Sequence, residues 1–250
     1  MTDPLVRARV DALLPLAECV KPRKPQELRE WVLAKCDAFR QIPELREPVL
    51  LHEGLFKWFH EEIYPLSVFA VHRYGDRDDV LCVPKRDPSR DVDAEIRQPS
   101  GTIRLEITCA REPSEHLRME YLVEHHRVSL TGGLKVEGTK RTGRRIEDVL
   151  EFQYHRETRA RHLDLIKTAA EGKAGRGRYG KTYELLIAVE EDWWFDADDA
   201  REVTDFVERE VLRLPLEFDA VHVVGMTERL FLFFPLPRGE PHEGSSGLVT

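Results

Sequence analysis

The sequence predicts an α/β fold, more narrowly an α+β arrangement with a mixed β-sheet flanked by helices and an N-terminal helical extension. Three observations lead there. The first 65 residues repeat apolar side chains at helical spacing, the middle and end carry short alternating or continuous apolar runs of strand length, and helical patterns separate those runs. At 250 residues the chain can bury a substantial core, as one domain with extensions or as two small ones. The expected organisation is a helical extension over 1–47, a core over 48–236 with an insertion at about 112–145, and a disordered tail over 237–250. The tail's Pro, Gly and Ser content offers too little apolar surface to offset ordering entropy.

The pattern predicts helices over Pro4–Leu16, over Pro25–Arg40 with Leu28, Trp31, Val32 and Phe39 on one face, and over Pro48–Ile63 before Pro65. Strands are expected at Leu66–His72 and Val80–Val83, and the polar loop Lys85–Arg90 then leads into a hairpin. Beyond it, Ser114 is placed to cap a helix over Leu117–His126, and Val128–Leu130 and Leu134–Val136 flank Thr131-Gly132-Gly133 as a second hairpin. Ile146–Ala170 reads as one long or two abutting helices, with Gln153 and Lys167 among the apolar stripes. Tyr183–Glu190 follows as a buried strand, Asp196 as the cap of a helix over Ala197–Leu212, and Phe218–Met226 with Arg229–Leu236 as a closing hairpin.

The hairpin from Asp91 to Thr108 is the most informative stretch. Around its Pro99-Ser100-Gly101 turn, Ala94, Ile96, Ile103, Leu105 and Ile107 face one way, and Asp93, Glu95, Arg104, Glu106 and Thr108 the other. If Gln98 opposes Gly101, Asp93 lies across from Glu106 and Glu95 meets Arg104; a shift of two residues pairs Glu95 with Glu106 instead. In either register the carboxylates come within roughly 5–8 Å, where they repel by about 2–3 kcal/mol at an effective dielectric near 20. A divalent cation would remove that repulsion, and solvation of an outward face would also reduce it.

The net charge of −8 is unevenly distributed. Lys135–Lys181 holds 13 basic against 7 acidic residues, and the remainder 25 against 39. Lys140, Arg141, Arg144, Arg145, Arg176, Arg178 and Lys181 are therefore candidates for phosphate contacts, with a solvated charge-rich face as the alternative. Cys19, Cys36, Cys82 and Cys109 form no C-x-x-C pair and read as reduced thiols. The histidines lack H-E-x-x-H spacing. Neither a leader pattern nor an apolar run of about 20 residues is present, so the expectation is a cytoplasmic protein without membrane contact.

Gly175-Arg-Gly-Arg-Tyr-Gly-Lys-Thr182 matches the P-loop pattern, which gives a minor nucleotide-binding alternative. Its context opposes that reading, because a helical pattern precedes the loop and a strand follows it.

Helix, strand, acidic hairpin, helix and strand, with Asp93 on the first arm and Glu106-x-Thr108 on the second, resemble the PD-(D/E)XK nuclease superfamily, the restriction-endonuclease-like fold. The resemblance spans Pro48–Val189 and implies a mixed sheet flanked by helices with Mg²⁺ or Mn²⁺ on the hairpin. By that similarity Asp93 and Glu106 are metal ligands helped by the Ile107 carbonyl. Glu95 is a candidate for a second ion or for orienting the attacking water. Hard cations select such oxygen donors, and a bound ion polarises a phosphodiester and acidifies water. Thr108 stands where the family has lysine. Some members move that lysine to a neighbouring helix, which makes Lys167 the candidate here, and Glu61 or Glu62 from the preceding helix is a further candidate ligand.

The function these residues imply is a metal-dependent nuclease acting on nucleic acid, DNA before RNA, with homodimerisation left open. The rival is a catalytically degenerate relative that binds nucleic acid or a protein, for which an exposed Trp193-Trp194-Phe195 would speak. A cation held between Asp93 and Glu106 would favour the enzyme, and a lysine or arginine salt-bridged into the pair would favour the binder.

Overall fold

The computed structural model describes residues 4–86, 92–112, 115–126, 132–139, 143–150, 155–177, 179, 182–190 and 197–236. The N-terminal part is helical, as expected: α1 (Pro4–Leu13), α2 (Leu16–Cys19), α3 (Pro25–Arg40), α4 (Arg46–Leu50), α5 (Leu55–Trp58) and α6 (Tyr64–Tyr74). Pro25 opens α3 where a missing N–H costs nothing, and Glu27 reaches back to the Lys24 amide at 3.3 Å. Leu28, Val32 and Phe39 are buried on one side of α3, with the Phe39 ring edge-on to Phe56 and Phe59.

The segment read as a strand at Leu66–His72 lies inside α6. A π-helical turn, Phe59–Ile63, runs directly into this helix, and Pro65 sits in its first turn, where proline is tolerated. Pro65 through Ala70 are all buried, so no polar face interrupts the run to reveal a helical period.

The sheet follows as β1 (Leu81–Pro84), β2 (Ala94–Gln98), β3 (Gly101–Ala110), β6 (Tyr183–Val189), β7 (Ala220–Gly225) and β8 (Phe231–Pro235). Spatial order equals chain order across these six strands. β1, β2 and β3 pair antiparallel, β3, β6 and β7 parallel, and β8 returns antiparallel. The parallel pairs need crossovers, supplied by α7 (Glu115–His125) and α8 (His155–Glu171) before β6 and by α9 (Ala197–Phe206) before β7. The β2–β3 register places Gln98 opposite Gly101 and Glu95 opposite Arg104, the first of the two registers foreseen.

Helices cover both faces. Against one, α3, α5 and α6 pack on Ala94, Ile96, Leu105, Ile107, Leu186 and Val224; against the other, Leu163, Ile166 and Ala170 of α8 and Val203 of α9 pack on Leu185, Ile187, Val221 and Val223. This is the mixed sheet between helices that the sequence predicts.

The excursion between α7 and α8 corrects the expected boundaries. β4 (Gly132–Thr139) and β5 (Gly143–Leu150) form a separate antiparallel arm with Val136 opposite Ile146. Glycine content made Thr131–Gly133 look like the turn, yet Gly132 and Gly133 stand in β4, paired with Leu150 and Val149, and Thr131 lies outside the described residues. Ile146, Val149 and Leu150 fit a helical period by coincidence; they belong to β5, and α8 begins at His155. Ser114, Gln153, Trp193–Asp196 and the tail also lie outside the described residues. The P-loop reading fails on order, since the loop leaves α8 and enters β6, the reverse of strand, loop, helix. Among the described residues no helix is long and apolar enough to cross a membrane.

Candidate active site

Asp93 stands immediately before β2 and is fixed by three backbone groups. Its amide donates to the Leu105 carbonyl at 2.9 Å, its carbonyl accepts from the Lys85 amide at 2.8 Å, and its Oδ2 accepts from the Ile107 amide at 2.7 Å. The neighbouring pair Ala94↔Leu105 carries the ladder onward so that Asp93 faces Glu106. Glu106 is 4% exposed, under the helical layer that includes α8. The strand pleat creates this pairing: Leu105 and Ile107 enter one core, and Glu106 between them must point to the other face.

Two further residues join the pair. Glu62 comes from the π-helical turn ahead of α6. Burial first, and then the charges of Asp93, Glu61 and Glu106, push its carboxyl up to about 8, so acids from three elements share one electrostatic neighbourhood. Lys173, in the turn that follows α8, donates from Nζ to Glu106 Oε1. With Lys173 18% and Glu106 6% exposed at the side chain, this ion pair is largely withdrawn from water.

The other expected site residues are distributed differently. Glu95 turns to Lys85 at 3.0 Å and Arg97 at 2.9 Å, which pull its carboxyl below the usual range against the opposing effect of burial. Thr108 shares the Glu106 face of β3 one pleat further on and pairs with Ile187. Lys167 is a correction: it reaches Glu210 at 3.1 Å, and Lys173 takes the place by the acids. The inward stripe is Leu163, Ile166 and Ala170; position 167 follows Leu163 by four and 173 follows Ala170 by three, so both lysines flank the stripe and only the contact with Glu106 separates them. The stripe alone marks 173 as a candidate beside 167. No comparable signal separates Glu62 from Glu61.

Of the cations proposed for phosphate contacts, Arg144 and Arg145 are engaged by carboxylates. Arg144 pairs with Glu120 of α7 and is 19% exposed; Arg145 pairs with Glu147 at 3.1 Å. Arg176 is exposed. Lys140, Arg141, Arg178 and Lys181 lie outside the described residues.

Just past the end of β3, Arg111 ties several elements together. Its guanidinium donates to Glu61 at 3.1 Å, lies 3.0 Å from His52 Nδ1, and approaches Glu115 at 3.6 Å and Glu190 at 3.8 Å. Burial and the neighbouring Glu190 push Glu115 up to about 7. Burial and Arg111 hold His52 down at about 3, so its ring is neutral at physiological pH. The Cys109 thiol bonds the Glu61 carbonyl at 3.5 Å, linking this cluster to the turn that carries Glu62.

Carboxylate oxygens are the donors that Mg²⁺ or Mn²⁺ selects, and a carboxyl pushed up to about 8 by burial and by its acidic neighbours is one whose ionised form a cation stabilises, so Asp93, Glu106 and Glu62 fit such an ion in chemistry. With Lys173 on Glu106, no three His, Cys, Asp or Glu side chains among the described residues converge closely enough to enclose one as they stand. No known family, no curated protein and no solved structure matches the chain.

Proposed function

We propose that this chain is a metal-dependent nuclease, hydrolysing phosphodiester bonds in DNA before RNA, with Asp93, Glu106 and Glu62 holding Mg²⁺ or Mn²⁺. The observation that carries the reading is Asp93 across the hairpin from Glu106, with Lys173 from the crossover turn on Glu106 and Glu62 within reach of both charges. When bound, the ion supplies Lewis-acid polarisation of the phosphodiester and acidification of the attacking water. The chain's own groups do the rest. The Ile107 amide fixes the Asp93 carboxylate, and the strand pleat fixes Glu106, so two acids are oriented before substrate arrives. Lys173 places an ammonium beside Glu106, where it can donate to a phosphate oxygen as charge builds in line with the attacking water. The water oxygen bonds to phosphorus as the bond to the leaving oxygen breaks; the water's proton passes to solvent and the leaving oxygen takes one from solvent.

The rival reading is a nuclease-like protein that only binds, and the same contact favours it, since a lysine salt-bridged to Glu106 was the sign expected of a binder. The two part on one experiment. Labelled single- and double-stranded DNA and RNA are incubated with Mg²⁺, Mn²⁺ or EDTA, using the parent, Asp93→Asn, Glu106→Gln and Lys173→Met. Metal-dependent cleavage that falls at least about 100-fold in all three variants supports the enzyme. Retention of substrate without cleavage, unchanged in Lys173→Met, supports the binder.

A further inference from the structure

Beyond Glu61, on the far side of the turn that carries Glu62, a cavity of about 370 Å³ opens between α4, α5 and α7. Leu51 and Met119 give it apolar wall, and Lys57, Arg111, Glu61 and Glu115 give it polar wall. Its volume is at the small end of ligand sites, suited to a single nucleotide unit and too small for a duplex. Arg111 leaves β3 five residues after Glu106, about 16–17 Å along the strand, so the cavity lies a few nucleotide steps from the acids.

Two observations say what enters it. The cavity wall carries Glu61, Glu112 and Glu115 against Lys57 and Arg111, and Arg161 neutralises Glu112 from outside it, so the wall holds no surplus of cation to draw in backbone phosphate. The same wall offers what an unstacked base requires: carboxylates for amino hydrogens, a planar guanidinium tethered by Glu61 and Glu115 for ring contact and for base carbonyls, and apolar side chains for the ring face. The surrounding charge points the same way. Lys135, Arg144, Arg145, Arg159, Arg161 and Lys167 each pair with a carboxylate and Arg176 is exposed, so most described cations of the basic segment are already matched and few are left to grip a duplex backbone.

We infer that this cavity is a base pocket for one unpaired nucleotide carrying an exocyclic amino group, cytosine above all, and that the substrate is single-stranded where it meets the protein. The inference rests on the nuclease reading for the chain's role but not for the pocket's chemistry. Cytosine N4 donates to a carboxylate such as Glu115, and its ring carbonyl accepts from Arg111 or Lys57; thymine and uracil present a carbonyl at the N4 position and meet the carboxylate acceptor to acceptor.

The test is binding of short oligonucleotides to the full chain in EDTA, which separates recognition from cleavage. Oligo-dC and oligo-dT hexamers and a duplex of mixed sequence are titrated by fluorescence anisotropy at fixed salt, with Met119→Trp to fill the cavity and Glu115→Leu to remove its acceptor. A preference of about tenfold for oligo-dC over oligo-dT, weaker duplex binding, and loss of the preference in either folded variant are the expected results. Equal binding of both hexamers, or a preference that survives both variants, overturns the pocket. Cleavage without base preference removes the pocket and leaves the nuclease reading; base preference without cleavage on any substrate removes the nuclease reading and leaves the pocket.

Discussion

Replacing Lys173 by methionine keeps length and apolar volume and removes one charge from a pair that is 18% exposed on the lysine side and 6% on the glutamate side. Breaking a buried pair from one end costs about 3–5 kcal/mol, because the remaining charge is stranded. Here the lysine is only partly covered, so the expected loss is about 2–3 kcal/mol. With a urea slope near 3 kcal/mol/M for a chain of this size, the midpoint falls by about 0.7–1 M. Lys173→Met/Glu106→Gln recovers most of that loss, because the stranded charge is gone. Added Mg²⁺ raises the midpoint of Lys173→Met more than that of the parent, since the cation then meets Glu106 without displacing an ammonium; an ion at 100 times its Kd adds about 2.7 kcal/mol. Equilibrium urea unfolding followed by circular dichroism reads all four quantities. A midpoint for Lys173→Met within 0.2 M of the parent at pH 8, given the sensitivity above, would refute the reasoning, for then the pair contributes nothing that its burial requires (about 0.6 kcal/mol or less).

Glu62 predicts a pH dependence with a definite sign. Its folded value of about 8 lies above the usual 4.5, so folding binds a proton between those limits and stability falls as pH rises from 4.5 to 8. The difference sets an upper limit of about 5 kcal/mol, and partial water access brings it to roughly 2–3; Glu62→Gln should flatten the decline in urea midpoints measured from pH 5 to 9. Lys167→Ala should leave both the unfolding midpoint and any cleavage rate at the parent's values, because its partner Glu210 lies away from the acids; a loss of cleavage comparable to that of Lys173→Met would show that the wrong lysine was chosen. Ile166→Ala, fully buried between α8 and the sheet beneath Lys173, should cost about 2–5 kcal/mol in urea unfolding, and a cost under 1 kcal/mol would mean that α8 is not packed as described.

The parts of this structure that the sequence discloses are those whose contacts are local. The β2–β3 register follows from a short turn between two alternating arms, and register alone brings Asp93 across from Glu106. α6 was unreadable for the opposite reason: residues 65 to 70 are buried on every side, and a helix buried all round has no periodic polar face. β5 misled because three apolar residues satisfied two periods at once, and only pairing with β4 decides between them. Lys173 was legible in principle, as the continuation of a stripe that ends where α8 ends, but only if the turn was allowed to extend the helix's phase by one step.

Charge shows most clearly where a linear reading stops. The segment from 135 to 181 carries a surplus of cations in the sequence, yet Arg144 is met by Glu120, Arg161 by Glu112 and Arg159 by Asp199, all from outside the segment. A surplus counted along the chain becomes, in space, a set of clamps that fasten the arm and α8 to α7, to the exit of β3 and to α9. The field a polyanion would meet is set by what remains after that pairing. Glu62, pushed toward neutrality by burial and then by the charges of Asp93 and Glu106, belongs to no such clamp. On the reading proposed above, specificity would come from the small acidic centre and the neighbouring cavity, while the basic segment acts first as structure.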